Sequence, residues 1–267
     1  MNPLYWLELR IRSREKRLWL VVIFFILTLL VVSGLVFSTS QMASRHYTMP
    51  KEVGTGLIWA TLYIQAGLII ILSPLSAAGR ISQEREQRTI AALLNSPLSR
   101  SKIALGKLLG AWTLILWLGA IPLPFLFLET LWGGPEPAVV AICTGSNLLA
   151  GLTISSIAIG LSGFFGRSMT AYLVTGVVLF GWCIVIPIFG GLTLSLIPGN
   201  SSLLESMVQY FAFYHHPLYP LIAFIEGYTP VLNIYLFYKL GFCYAVWLII
   251  ALCGFAIAVA GLKREVY

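Results

Sequence analysis

Few residues in this chain have the types and spacing for covalent chemistry, and each candidate set lacks a necessary partner. All ten acidic residues are glutamates, so Asp-centred metal sites and aspartyl-phosphate chemistry have no raw material. Ser99, Arg100, Ser101 and Lys102 match the S-x-x-K spacing of serine acyl enzymes. The companion Ser-Asp-Asn cannot occur without aspartate, and helix capping accounts for Ser99. Gly106 and Lys107 suggest a phosphate loop, but Leu108 follows them and Ser101 stands where the loop's first glycine belongs, so the ATP-binding motif is absent. His215 and His216, with Glu205 and Glu226 in the same segment, are potential metal ligands, although adjacent histidines more often make interfacial hydrogen bonds. Cys143, Cys183, Cys243 and Cys253 lie in apolar runs without metal-ligand spacing and read as small core hydrophobes. Glu129 and Lys239 fall near the ends of apolar runs, where each side chain is expected to reach the headgroups.

The elements that carry these residues are membrane spans. Of the 267 residues, 58% are hydrophobic and 10% charged, and the mean hydropathy is +0.89. Such a composition is incompatible with a water-facing surface and predicts an all-α integral membrane protein, a single transmembrane domain over residues 1–267. The net charge of +7 does not imply nucleic acid, because the basic residues cluster at the ends of apolar runs, where they set orientation.

Residues 2–17 alternate apolar and basic positions, with Leu4, Leu7 and Ile11 on one helical face and Arg10, Arg14 and Arg17 on another. An amphipathic interfacial helix fits this pattern, with Trp6 and Trp19 as anchors; an unstructured basic flank is the alternative. Six spans are predicted, over residues 18–37, 57–78, 108–128, 139–165, 169–197 and 240–262. The first is a full span of about 20 residues without a small-x-small cleavage site after it, and is expected to be retained as an anchor. Pro74 should kink the second span, Pro122 and Pro124 break the outer part of the third, and Gly133 and Gly134 make a tight outer turn. Residues 198–238 hold ten aromatics between prolines. They are expected to form short re-entrant or interfacial helices on the outer side.

Six spans put both termini on one side of the membrane. Of the 17 lysines and arginines, only Arg45, Lys51 and Lys239 fall on the other side. Both termini are therefore expected in the cytoplasm of a multi-pass protein of the cell (plasma) membrane.

Residues 79–107 form the long charged passage between two apolar runs. A helix is predicted first, with Glu84 and Arg88 paired at i,i+4, and Asn95, Ser96 and Pro97 ending it. Ser99 should cap a second helix leading into the third span. Ile90, Leu93 and Leu94 would then be uncovered apolar residues in need of a partner. The plainer alternative is a basic loop that serves orientation alone.

This passage resembles the membrane permeases of ATP-binding-cassette (ABC) exporters of the ABC-2 type. The likeness rests on Glu84, Arg85, Glu86; Thr89, Ile90; Leu93, Leu94; the turn Ser96, Pro97, Leu98, Ser99, Arg100; and Gly106, Lys107, Leu108, Leu109 at the start of the third span. One departure is Gln87 and Arg88 before Thr89, where that family commonly has a glycine. The resemblance implies a coupling helix seated in a cleft of a cytoplasmic ATPase subunit, with Glu84, Arg85, Glu86, Arg88, Thr89, Leu93, Leu94 and Pro97 as docking residues. It also implies a second permease, identical or related, and two ATPase subunits that bind ATP and Mg, so this chain needs no cofactor of its own. The pathway is expected between spans two and five, near Gln65, Ser73, Gly181, Pro187, Gly190 and Gly191.

The function expected is thus that of a non-catalytic permease subunit of an ATP-driven exporter. The competing readings are a membrane scaffold or membrane-embedded enzyme that docks another cytoplasmic partner, and an ion-coupled carrier. The carrier is disfavoured because no span carries a central ionisable group.

Overall fold

The computed structural model describes residues 5, 10, 16–43, 50–131, 133–196, 202–226 and 234–263. Among them there are helices and turns and no strand. Tyr5 and Arg10 are helical; the rest of the proposed interfacial helix over residues 2–17 lies outside the described residues.

Helix α1 spans Lys16–Ala43 and α2 spans Pro50–Ala77. Residues 38–43 and 50–56, between the first two predicted spans, are therefore helical, and Pro50 starts α2 where a missing amide costs nothing. Two short helices follow, α3 Ser82–Glu86 and α4 Ile90–Leu94. Next come α5 Arg100–Ala120 and α6 Leu123–Leu131, separated at Pro122 as expected. Gly133 turns the chain with a φ of 89°, and α7 runs over Pro137–Ser162. The fifth span comprises α8 Ser168–Phe180, a π-helical turn Gly181–Val185 and α9 Ile186–Leu196. The aromatic segment holds α10 Ser202–Ala212 and α11 Tyr219–Glu226. Last is α12, Ile234–Lys263, which starts earlier than the predicted residue 240.

Five helical segments among the described residues are long and apolar enough to cross a membrane, and α1 supplies a further apolar stretch, Trp19–Leu35. Their positions match the six expected spans, and the protein is a multi-pass membrane protein. Below, the side of the molecule carrying α3 and α4 is the elbow side and the opposite one the far side.

Helix α7 is the hub. Between neighbours on several sides it buries Thr144, Ser146, Asn147, Thr153, Ser155, Ser156 and Ser162 along with Val140, Ile154 and Ile159. Because lipid is as apolar as leucine, helices in a bilayer associate through close packing and interhelical hydrogen bonds, which favours small and hydroxyl residues here. A side chain at Gly160 would fall 2.6 Å from the carbonyl oxygen of Gly254, and one at Gly261 would fall 2.3 Å from that of Gly163. So α7 and α12 touch backbone to backbone over their elbow-side halves.

Polar side chains tie the other helices to this pair. Asn147 Nδ2 donates to Gln65 Oε1 (2.8 Å) and Gln65 Nε2 to the Leu118 carbonyl (3.3 Å), joining spans two, three and four. Thr61 donates to Glu129 Oε1 at 3.0 Å. Glu129 is only 3% exposed, so it does not reach the headgroups as its position near a span end had suggested. Beyond the short turn at Pro122, α6 packs on α2 and buries the carboxyl there. By contrast, α8 and α9 turn Leu173, Val177, Ile188 and Phe189 outward.

Candidate functional site: the elbow

The connection between spans two and three is the place where buried charge, helix ends and an exposed face meet. It is two short helices with a break at Gln87, Arg88 and Thr89, where a single helix to Pro97 was predicted. At the break Arg88 adopts a φ of 57°, alone among the described non-glycine residues. The left-handed region favours glycine, and a side chain there costs on the order of 1 kcal/mol. This is the position where the ABC-2 resemblance noted a missing glycine, and the chain turns there nonetheless. Thr89 fixes the turn: its amide donates to the Glu84 carbonyl at 2.9 Å, and its hydroxyl donates to the Glu84 carboxylate.

Breaking the helix at residue 88 redirects every charge on it. Glu84 does not pair with Arg88 at i,i+4; its Oε1 sits 2.6 Å from Lys107 Nζ on α5. Arg85 reaches across to the ends of two other spans, with Nη1 at 2.8 Å from the Phe165 carbonyl and Nη2 at 2.6 Å from that of Gly163 and 3.3 Å from that of Gly261. Glu86, although exposed, accepts from the Ser168 amide (2.9 Å) and hydroxyl. An acidic group at the first turn of α8 satisfies an orphan amide and complements the helix dipole. Ser162 completes the wiring, its Oγ accepting the Ile81 and Ser82 amides at 3.0 and 3.1 Å.

The apolar residues also differ from expectation. Ile90 is buried, and Leu93 and Leu94 are half-buried against the core formed by Ala77, Ile81, Ile103 and Leu262, so this chain covers the first and part of the other two. The outward face instead consists of Gln87, Arg88, Thr89, Ala91, Ala92, Asn95 and Pro97, small and polar with one free-standing cationic position. Pro97 lies in the bend after α4, and Ser99 caps α5 as predicted, accepting the Lys102 amide at 3.4 Å.

The sequence signals for this wiring were partial. The short connection at Gly166, Arg167 and Ser168 and the closely spaced Gly160 and Gly163 marked a tight corner. Nothing in local spacing linked Ser162, Ser168, Lys107 or Gly261 to the charged passage, since those partners lie 23 to 176 residues away.

The six residues expected to line a pathway fall in two places. Gln65 and Ser73 are fully buried within α2, Gln65 in the cross-link described above and Ser73 bonded to the Ile69 carbonyl. Gly181 opens the π-helical turn, Pro187 sits in the first turn of α9, and Gly190 packs so closely that a side chain would lie 2.1 Å from Ala212 Cβ. Gly191 faces outward. Helices α2 and α8 meet at their elbow ends, where Tyr172 donates to the Leu75 carbonyl at 3.4 Å.

On the far side, proline at 187 leaves the helical partner of the Cys183 carbonyl without an amide, and His216 Nε2 donates to that carbonyl at 3.0 Å. Nδ1 of the same ring accepts the Leu218 amide at 3.1 Å, which fixes a neutral tautomer. Burial holds both His215 and His216 below the usual imidazole range. Of the cysteines, Cys143 and Cys243 are buried as expected, whereas Cys253 is exposed on α12.

No curated protein matches the chain. A family described as ABC-2 family transporter protein matches residues 2–260, nearly the whole length, including every span and the elbow. The chain therefore belongs to the ABC-2 transporter family and is a membrane permease component of an ABC transporter.

Proposed function

We propose that this permease works as an exporter subunit driven by separate ATPase subunits, which bind the ATP and Mg and dock on the elbow. The observation that carries this reading is the division of the elbow into two faces. Its inner face bonds to the ends of spans three, four, five and six through Lys107, Ser162, Gly163, Ser168 and Gly261. Its outer face, Gln87, Arg88, Thr89, Ala91, Ala92, Asn95 and Pro97, is exposed. A force applied outside would reach four spans at once.

On this reading Arg88, Thr89 and Pro97 touch the ATPase, while Glu84, Arg85, Glu86, Leu93 and Leu94 hold the docking surface from behind. Both termini and the elbow face the cytoplasm, and a second permease, identical or related, completes the pathway. Substrate passes between spans two and five, whose Pro74 and π-helical turn offer bending points. Closure of the ATPases rocks the spans as rigid bodies.

The test is co-purification of an ABC ATPase subunit with this chain from its own cells, for native protein and for Ala91→Glu with Ala92→Glu. Both alanines are exposed, so the paired substitution leaves the fold intact and should abolish the complex. Retention of the ATPase by the double variant would refute docking at this face. An ion-coupled carrier would instead work with ATP depleted and stop when the proton gradient collapses.

A further inference from the structure

Arg85 reaches from the elbow to the ends of spans four and six. Its guanidinium bonds only backbone oxygens among the contacts given above: Phe165 and Gly163 beyond the end of α7, and Gly261 in the last turn of α12; Ser162 lies at the margin, 3.5 Å away. Helix C-termini leave carbonyls unpaired and carry partial negative charge, so one cation lying across two of them serves both. The planar fork of arginine suits several carbonyls at once, which a lysine ammonium on its flexible stem does not.

The two helices so bridged are already in contact through their backbones. Side chains at Gly254 and Gly261 would fall 2.6 Å and 2.3 Å from main-chain atoms of Ser156 and Gly163. Sliding α7 against α12 would drive backbone into backbone, so the pair is stiff. Ser162 caps the first amides of α3 from the same corner. The polar links to the other neighbours run through acidic side chains, Glu84 to Lys107 and Glu86 to Ser168, and side chains can follow a moving helix.

We infer that Arg85 is a positioning residue that locks the elbow to the fused pair of spans four and six, so that these three elements move as one body. Relative motion within the chain then falls on α2, with Pro74, and on the fifth span with its π-helical turn. This inference rests on the docking reading above, which supplies the force, and assigns the part of the permease that receives it.

The experiment uses the complete complex with its ATPase in lipid nanodiscs, on a background in which the four cysteines are replaced. Spin labels are placed at Gln87 and Lys263 in one sample and at Gln87 and Val177 in another, and distances are compared without nucleotide and with trapped ATP. In the native complex the distance between positions 87 and 263 should stay fixed, while that between 87 and 177 shifts. In Arg85→Gln the 87 to 263 distance should become nucleotide-dependent. Arg85→Lys, which keeps the charge without the fork, carries the same expectation should the glutamine variant fail to fold. A native 87 to 263 distance that shifts with ATP, or one that stays fixed in both Arg85 variants, would overturn the inference. A native chain that holds no ATPase at all would overturn the docking reading, and this inference with it.

Discussion

Glu86 accepts from the backbone amide of Ser168 at 2.9 Å and also from its hydroxyl, so a side chain of the elbow caps the start of the fifth span across 82 residues of sequence. Capping oxygens on a helix's first turn hold amides that otherwise find no partner. Glu86→Ala should speed hydrogen exchange at the first turn of α8 and leave the middle of α7 unchanged. Equal protection of Ser168 in the variant and native chains would show the cap to be inconsequential.

Arg88 holds the left-handed turn of the elbow at a cost of about 1 kcal/mol relative to glycine. Arg88→Gly should raise the thermal midpoint slightly or leave it in place, whereas Arg88→Val should lower it, because a β-branched residue tolerates that backbone least. A stabilising valine would contradict the observed φ of 57°.

The contact between spans four and six predicts a sharp contrast between two glycines. Gly254→Val forces a side chain to within 2.6 Å of the Ser156 backbone, while Gly145 has nothing within 4 Å of the corresponding position. Overpacking of this kind costs about 1–3 kcal/mol. In detergent, Gly254→Val should unfold at a clearly lower temperature than the native chain and Gly145→Ala should not.

Much of the architecture was legible because its signals are local. Pro122, the pair Gly133 and Gly134, and Ser99 each act within a few residues, and each appears where the sequence placed it. The interior of the elbow was legible only in part. The i,i+4 rule paired Glu84 with Arg88, but the turn at residue 88 and the ammonium of Lys107, delivered by α5, decide otherwise. Likewise Glu129 sat near a span end and read as a headgroup contact, while the packing of α6 on α2 buries it beside Thr61. Such pairings depend on how helices dock, and residue spacing along one helix carries no information about that.

His216 links the aromatic far-side segment to the fifth span by donating to the Cys183 carbonyl. Desolvation by burial dominates and lowers its proton affinity, with the Cys183 bond opposing in part. A base whose folded pKa lies below its unfolded value of about 6.5 binds fewer protons when folded, so stability rises with pH and is lost as pH falls below about 6.5. The segment over residues 202–226 should become more susceptible to protease at pH 5.5 than at 7.5, and His216→Asn should reduce that dependence. A susceptibility independent of pH in the native chain would count against this account of the link.

The most direct measurement of the central claim is photo-crosslinking from the outer face of the elbow. A photoreactive amino acid in place of Ala92, in the protein's own cells, should give an adduct of this chain with an ABC ATPase subunit. The same group at Leu173, which faces outward on the fifth span, should give none. Adducts at both positions, or at neither while the two proteins still co-purify, would contradict docking at the elbow.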